Sequence, residues 1–213
     1  KGGHINRSYL VTTDTARRYV LQRVNRYVFR DVGAIMENLR LLRDFLRDSR
    51  EAPPMICFID TLDGESFYED GESGAWRLCP FVESSLSLLR PESEEDFYQS
   101  ALAFGRFQHA LRDFPPERLH ETIPRFHDTP ERYRQLRAAM AEDPVGRLSQ
   151  LKSERDFALE REELASVLQS CRERGELPLR VTHNDTKMSN VLLDADTRRA
   201  LCVIDLDTVM PGL

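Results

Sequence analysis

The sequence predicts an α+β fold in which a small antiparallel β-sheet with one helix precedes a mostly helical second half. Segments rich in β-branched and aromatic residues, separated by short turns, dominate the first half. Three stretches with helical periodicity dominate the second half. The character of the chain changes in a polar segment that begins at Glu83, so we expect one lobe over residues 1–83 and another over residues 84–213.

The first lobe is predicted to open with a β-hairpin formed by strands over His4–Thr13 and Arg18–Asn25. Asp31 then stands before an apolar stripe with helical spacing, so it is expected to cap a helix that ends near Ser49. The members of that stripe are Ile35, Leu39, Leu42 and Leu46. Runs of β-forming residues predict three further strands, over Met55–Ile59, Ser66–Glu69 and Ala75–Val82.

The second lobe is predicted to consist of helices followed by a β-hairpin. The helices are expected over Glu94–Arg112, Pro130–Glu142 and Glu154–Arg174. Asp128 or Thr129 before Pro130 is a helix-start signal, which favours a capping role for Asp128. Apolar runs then predict short strands on either side of a polar loop, over Leu177–Val181, Asn190–Asp194 and Ala200–Ile204.

Composition limits the kinds of partner. A net charge of −6 over 213 residues argues against general binding to nucleic acid or to anionic membranes, because both need basic surfaces. The four cysteines are widely spaced, which indicates reduced thiols, and the absence of a membrane span or signal peptide favours the cytoplasm. A start at Lys1 and an end at Leu213 suggest that both ends cut through a domain, with a C-terminal part missing.

The most informative motif lies in the polar loop and reads His183-x-Asp185-x-Lys187-x-x-Asn190. The H-x-D-x-K-x-x-N pattern is typical of a kinase catalytic loop, and Asp205 follows at the end of an apolar run. Asp185 is the candidate base, and Lys187 can reach a γ-phosphate as a point charge. Mg²⁺ prefers oxygen ligands, so Asn190 and Asp205 are its candidate ligands. His183 is expected to support the loop from inside.

Two interpretations stay open around this motif. Asp207 could bind a second Mg²⁺, or it could be a structural acid bonded to backbone or to an arginine. An ordinary polar hairpin with solvated acids is the alternative for the whole region. The joint presence of Asp185, Lys187, Asn190 and Asp205 favours a phosphoryl-transfer site.

In this sequence, the elements with which protein kinases bind ATP are partly changed. The lysine that kinases carry on a strand of the first lobe falls on Gln22, which can donate a hydrogen bond to a phosphate but supplies no charge. Arg23 alternates to the other face of a regular strand. Glu37 is the matching helix acid, expected on a solvated surface. Contact with adenine is expected near the hinge at Phe81–Glu83, with Glu83 as a candidate.

The chain resembles the aminoglycoside-phosphotransferase-like kinases, and among them most closely the N-acetylhexosamine 1-kinases. The resemblance is strongest at Arg180–Lys187 and Ile204–Gly212. Weaker matches lie at Gly3–Asn6, Tyr9–Thr13, Tyr19–Gln22, Gly74–Arg77 and Phe126–Pro130. The catalytic loop is shared by the wider superfamily, whereas the other segments favour a sugar kinase.

The resemblance implies a bilobal, protein-kinase-like fold with a nucleotide-binding first lobe and a partial catalytic second lobe. It also implies transfer of the γ-phosphate of ATP, with Mg²⁺, to the anomeric hydroxyl of N-acetylglucosamine or N-acetylgalactosamine. Asp185 would bind and deprotonate that hydroxyl, and His4 would approach the sugar. Gly2 and Gly3 would cover the phosphates through backbone N–H groups.

Two other functions remain as hypotheses. A related kinase could phosphorylate an aminoglycoside, an amino alcohol such as choline or homoserine, or a different sugar. A polycationic substrate would call for a dense acidic cluster, and the candidate in the sequence is Glu92–Asp96. A non-catalytic relative could bind nucleotide or a partner, but loss of a catalytic residue would be its natural mark.

Overall fold

The computed structural model describes residues 5–47, 53–71 and 74–213 of the chain. The chain divides into two compact units. The first unit is drawn from Lys1–Ile123 and Arg180–Gly212, and the second is drawn mainly from Pro124–Leu179. The lobe boundary that we expect at residue 83 stays a prediction.

A four-stranded antiparallel sheet forms the beginning of the first unit. Its spatial order is β1-β2-β4-β3, with β1 at Arg7–Thr12, β2 at Arg18–Val24, β3 at Tyr68–Asp70 and β4 at Gly74–Pro80. The hairpin predicted for the first two strands is confirmed. The register of β2 and β4 places Gln22 opposite Arg77. Burial alternates along β4, so Ala75, Arg77 and Cys79 all face the interior.

The first helix, α1, spans Val32–Leu46 and buries the predicted apolar stripe. Asp31 caps it as predicted, because its carboxylate accepts a hydrogen bond from the amide of Ala34 at 2.9 Å. The helix ends before the predicted boundary at Ser49, which lies outside the described residues.

The strand predicted over Met55–Ile59 is wrong. This segment makes two isolated bridges, one between Met55 and Val203 and one between Ile59 and Leu78. Pro53 and Pro54 directly precede it and have no N–H to donate to a neighbouring strand. The two bridges lead to different strands, so no continuous ladder forms along the segment.

The helix α2, at Glu94–Ala110, lies against the second sheet of the first unit. This sheet has the order β5-β7-β8, with β5 at Ser85–Leu86, β7 at Val191–Asp194 and β8 at Ala200–Val203. A separate pair joins β6 at Arg180–Thr182 to β9 at Met210–Gly212. The core between helix and sheet contains Phe107, Val191, Leu193 and Val203. The predicted hairpin of β7 and β8 is confirmed.

The second unit contains α3 at Thr129–Glu142, α4 at Lys152–Leu159 and α5 at Val167–Glu173. Asp128 caps α3 as predicted by accepting the amide of Glu131 at 3.0 Å. The single helix predicted over Glu154–Arg174 is wrong, because a 3₁₀ segment at Glu162–Ser166 separates α4 from α5. Arg161 donates to the carbonyl of Phe157 at 2.9 Å and so satisfies a carbonyl at the end of α4.

None of the helices in the described part of the chain combines the length and the apolar character of a transmembrane segment.

Candidate active site

The loop between β6 and β7 gathers the side chains of the H-x-D-x-K-x-x-N motif. Lys187 Nζ donates to Asp185 Oδ2 at 2.6 Å and lies 4.0 Å from Asp205 Oδ2. The amide nitrogen of Asn190 donates to Asp185 Oδ2 at 3.0 Å and to its backbone carbonyl at 2.9 Å. The structure thus brings together Asp185, Lys187, Asn190 and Asp205, although they span more than twenty residues of sequence.

The shape of this loop depends on residues that sequence reasoning missed. Asn184 has a left-handed backbone with φ of 62°, which asparagine tolerates better than most residues. Its side-chain amide donates to the carbonyls of Thr182 and Thr208 at 3.1 and 3.0 Å. Gly212 of β9 lies so close that an added Cβ would stand 2.1 Å from Thr182 Oγ1. The available signal was an Asn-Asp pair after a short strand, which is typical of a turn.

His183 supports the loop from inside, as predicted. It is fully buried, and its Nε2 lies 2.9 Å from the carbonyl of Ile204. That contact requires a proton on Nε2, which leaves Nδ1 to accept the amide of Asp185 at 3.3 Å. Burial lowers the pKa of His183, which favours this neutral form. Two phenylalanine rings, Phe104 and Phe107, pack edge-on against the imidazole.

Asp205 stands at the end of β8 with a left-handed backbone, φ 61° and ψ 50°. Its carboxylate is 33% exposed. Burial raises the pKa of Asp205, the negative charges of Asp207 and Asp185 raise it further, and Lys187 and Arg77 oppose the change. The carboxylate therefore lies where the local charge favours the arrival of a cation.

Asp207 has a different environment, since its side chain is only 1% exposed. Arg77 Nη1 lies 2.7 Å from Asp207 Oδ1, and Nη2 donates to Oδ2 at 2.8 Å. Asn6 donates to the same Oδ2 at 2.7 Å. Sequence reasoning did not single out Arg77 or Asn6. A signal did exist, because Arg77 shares the inward face of its strand with the apolar Ala75 and Cys79.

A cavity of about 320 Å³ lies beside the cluster, within the first unit. Its lining includes the polar side chains of Gln22, Lys187, Asn190 and Asp205 and the apolar side chains of Val20, Phe81, Val82 and Leu192. Such a volume lies in the range of small-molecule sites. Cys79 also lines the cavity, but burial raises the pKa of its thiol to about 11, so it stays protonated and is a poor nucleophile.

This arrangement agrees with a comparison against protein families. The model described as "Phosphotransferase enzyme family" matches residues 1–213. The chain belongs to this family. Solved structures similar to this phosphotransferase family member include an aminoglycoside phosphotransferase from Alicyclobacillus acidocaldarius subsp. acidocaldarius DSM 446, with a TM-score of 0.64 and 18% identity. That match covers 96% of this chain and 61% of the other.

Two further structures are similar at lower identity. A spectinomycin phosphotransferase in complex with AMP has a TM-score of 0.62 and 15% identity, and the match covers 97% of this chain and 63% of the other. An amicoumacin kinase in complex with AMP-PNP and Ca²⁺ has a TM-score of 0.61 and 11% identity. That match covers 100% of this chain and 59% of the other. Identities this low show the fold alone. The kinase-like α+β fold is confirmed, and the chain spans about three fifths of these proteins.

The remaining candidates for nucleotide binding in this member of the family are less closely grouped. Gln22 lines the cavity, accepts from Arg77 Nε at 3.1 Å and donates to Ser8 Oγ at 3.1 Å. The exposed carboxylate of Glu83 accepts from Arg18 Nε at 3.0 Å. Glu37 lies 2.7 Å from His120 on the surface. The candidates Gly2, Gly3 and His4 lie outside the described residues.

Proposed function

We propose that the chain forms the nucleotide-binding and catalytic part of an Mg²⁺-dependent kinase that phosphorylates the anomeric hydroxyl of an N-acetylhexosamine with ATP. The product would be the 1-phosphate of N-acetylglucosamine or N-acetylgalactosamine. The observation that carries the proposal is the position of Lys187 Nζ, 2.6 Å from Asp185 and 4.0 Å from Asp205, where Lys187 and Asp205 line the cavity. Phosphoryl transfer needs this combination of a base, a cation and a metal-binding acid.

Asp185 would be the general base. Its carboxylate is 30% exposed, so a hydroxyl group can reach it from solvent. As the sugar oxygen attacks the γ-phosphorus, its proton passes to Asp185 and the bond to the bridging oxygen of ADP breaks. Lys187 would face the phosphate oxygens as a positive point charge while it holds Asp185 in place.

Asp205 and Asn190 would hold Mg²⁺. The amide nitrogen of Asn190 is directed to Asp185, which leaves the amide oxygen as the coordinating atom. No group of three His, Cys, Asp or Glu side chains within the described ranges could hold a metal alone, so phosphate oxygens and water would complete the shell. When bound, Mg²⁺ would neutralise charge on those oxygens. Asp207 was the further candidate, and its ion pair with Arg77 favours a structural role.

The cavity would bind the nucleotide. Its apolar walls suit the adenine ring, and Phe81 and Val82 line it next to the hinge candidate Glu83. Gln22 would face the phosphates from the strand, while Gly2 and Gly3 would cover them through backbone N–H groups.

The choice of acceptor rests on the sequence segments shared with hexosamine kinases, where His4 would approach the sugar. One structural observation disfavours a polycationic acceptor. In the acidic run that could have bound one, Asp96 and Glu92 both accept from Arg198 Nη2 at 2.8 Å. Arg198 therefore offsets one of these two negative charges, and the side chain of Asp96 is buried.

A substrate panel tests the proposal. The full protein would be given Mg²⁺, ATP and, in turn, N-acetylglucosamine, N-acetylgalactosamine, other hexoses, choline, homoserine and an aminoglycoside. Formation of ADP with phosphate on C1 of an N-acetylhexosamine, identified by NMR, supports the proposal. Turnover with a different hydroxyl compound alone rejects the sugar assignment, and no turnover with any acceptor favours a non-catalytic relative.

A further inference from the structure

The face of the sheet that lines the cavity carries a buried arginine next to Gln22. Protein kinases place a lysine at the position of Gln22 and pair it with a helix acid. Here the register sets Arg77 of β4 directly opposite Gln22 of β2, and Arg77 Nε donates to the Gln22 side chain at 3.1 Å. The positive charge that Gln22 lacks is thus present on the neighbouring strand.

The guanidinium group of Arg77 has a fixed orientation. Both of its terminal nitrogens contact the carboxylate of Asp207, and it lies over the ring of Phe58 at 4.3 Å from the centroid. Its side chain is 2% exposed, so the ion pair is shielded from water. A planar fork with several donors makes these contacts together, which the single ammonium group of a lysine would not reproduce.

Asp207 links this arginine to two segments of the candidate site. It lies two residues after Asp205, in the 3₁₀ turn Leu206–Thr208. Its backbone carbonyl accepts Thr122 Oγ1 at 2.7 Å, and its carboxylate accepts the amide of Asn6. Asn6 in turn accepts the backbone amide of Asn25 at 3.0 Å. The turn that follows Asp205 and the segment at Asn6 are therefore joined through one buried carboxylate.

We propose that Arg77 is a positioning residue that holds Asp207 and, through it, sets the orientation of Asp205 for the metal. Asp207 then acts as a support for the metal site and is not a ligand. The position of Glu37, the matching helix acid, agrees with this assignment. Glu37 pairs with His120 on the surface, so Arg77, the charged residue on this face of the sheet, pairs with Asp207 and not with the helix acid. The proposal deepens the proposed function and rests on its assignment of Mg²⁺ to Asp205.

The test compares variants of the full protein by their Mg²⁺ requirement for ATP binding. Isothermal titration calorimetry with ATP at a series of Mg²⁺ concentrations gives the Mg²⁺ concentration at which ATP binding is half-maximal. Loss of residues that support metal ligands typically costs about 10- to 100-fold in metal affinity. We expect a rise of that size for Arg77→Met and a smaller rise for Arg77→Lys. Arg26→Met is the matched control, because Arg26 makes an exposed ion pair with Glu69 at 2.6 Å.

A double variant separates positioning from simple support of the fold. Arg77→Met leaves the buried Asp207 unpaired, whereas Arg77→Met/Asp207→Leu replaces both charges by apolar groups and should regain stability towards urea. We expect the double variant to fold as stably as the wild type and still to need more Mg²⁺. A return to the wild-type Mg²⁺ requirement together with stability would overturn the proposal. The proposal would also be overturned if Asp207→Leu abolished the Mg²⁺ dependence of ATP binding while Arg77→Met left it unchanged. Asp207 would then be the ligand.

The outcome does not depend on the acceptor, because the binding measurement contains no sugar. If the substrate panel fails while Arg77→Met still raises the Mg²⁺ requirement, the hexosamine kinase is rejected and the role of Arg77 stands. If the panel succeeds while Arg77→Met matches Arg26→Met, the positioning role alone is rejected. ATP binding by the wild type with no dependence on Mg²⁺ overturns both.

Discussion

Replacement of Gly212 by alanine should disturb the loop between β6 and β7 through a clash in the β6–β9 strand pair, from which the loop begins. The new Cβ would stand 2.1 Å from Thr182 Oγ1, 2.9 Å from Asn184 Oδ1 and 3.3 Å from Thr182 Cβ. Contacts below 3 Å force the neighbouring groups to move. Thr182 is β-branched and stiff, and Asn184 is held by hydrogen bonds to two carbonyls.

The expected cost follows from the size of this overlap. Overpacking by one methyl group typically destabilises a protein by about 1–3 kcal/mol, and we expect Gly212→Ala to fall in that range. Because Asn184 directly precedes Asp185, turnover should fall as well. Urea unfolding and steady-state kinetics of the full protein measure the two effects.

Gly105→Ala is the matched control for this experiment. Gly105 is exposed in α2, and an added Cβ there meets no atom within 4 Å. That change should stabilise the helix by about 0.5–1 kcal/mol. Thr182→Ala combined with Gly212→Ala should recover part of the loss, since it removes the closest atom. A Gly212→Ala protein as stable and as active as Gly105→Ala would refute the reasoning.

Three further predictions concern charge. Asp205→Ala should abolish the Mg²⁺ dependence of ATP binding measured by titration, and a dependence that persists would place the metal elsewhere. Burial lowers the pKa of His183, so the free energy of unfolding should decline as the pH falls below its ordinary value of 6.5, and His183→Gln should remove that decline in urea titrations. Hydrogen bonds from Arg198 hold the pKa of Asp96 at about 2, so its contribution to stability should be complete above its ordinary value of 3.8 and disappear as the pH falls towards 2. Arg198→Met should weaken this acid dependence, and an unchanged acid profile would contradict the assignment.

Local patterns were sufficient to predict most of the fold. The apolar stripe of α1 and its Asp31 cap depend on residues within a few turns of one another, so the sequence contains the whole signal. The same holds for the first hairpin and for the hairpin of β7 and β8. The prediction of a single helix over Glu154–Arg174 failed, because contacts of side chains with the backbone compete with a continuous helix. The side chain of Arg161, for example, binds a backbone carbonyl at the end of α4.

The candidate site divides in the same way. The motif from His183 to Asn190 and the acid Asp205 could be named because their spacing is typical of one chemistry. Arg77 could not be linked to its partner, which lies 130 residues away, and Asn6 lies 201 residues from the same carboxylate. Such pairs depend on the tertiary fold. The one local sign of the buried pairing of Arg77 was its position as a charged residue on an otherwise apolar strand face.

The most direct test of the central claim is a comparison of Asp185→Asn with the wild-type full protein. Turnover with the best acceptor of the panel and affinity for Mg²⁺-ATP would both be measured, with Asp196→Asn in the exposed turn between β7 and β8 as the control. If Asp185 is the base, its replacement lowers turnover by about 10²- to 10⁴-fold and leaves nucleotide affinity close to that of the wild type. Turnover equal to that of the control would contradict the account.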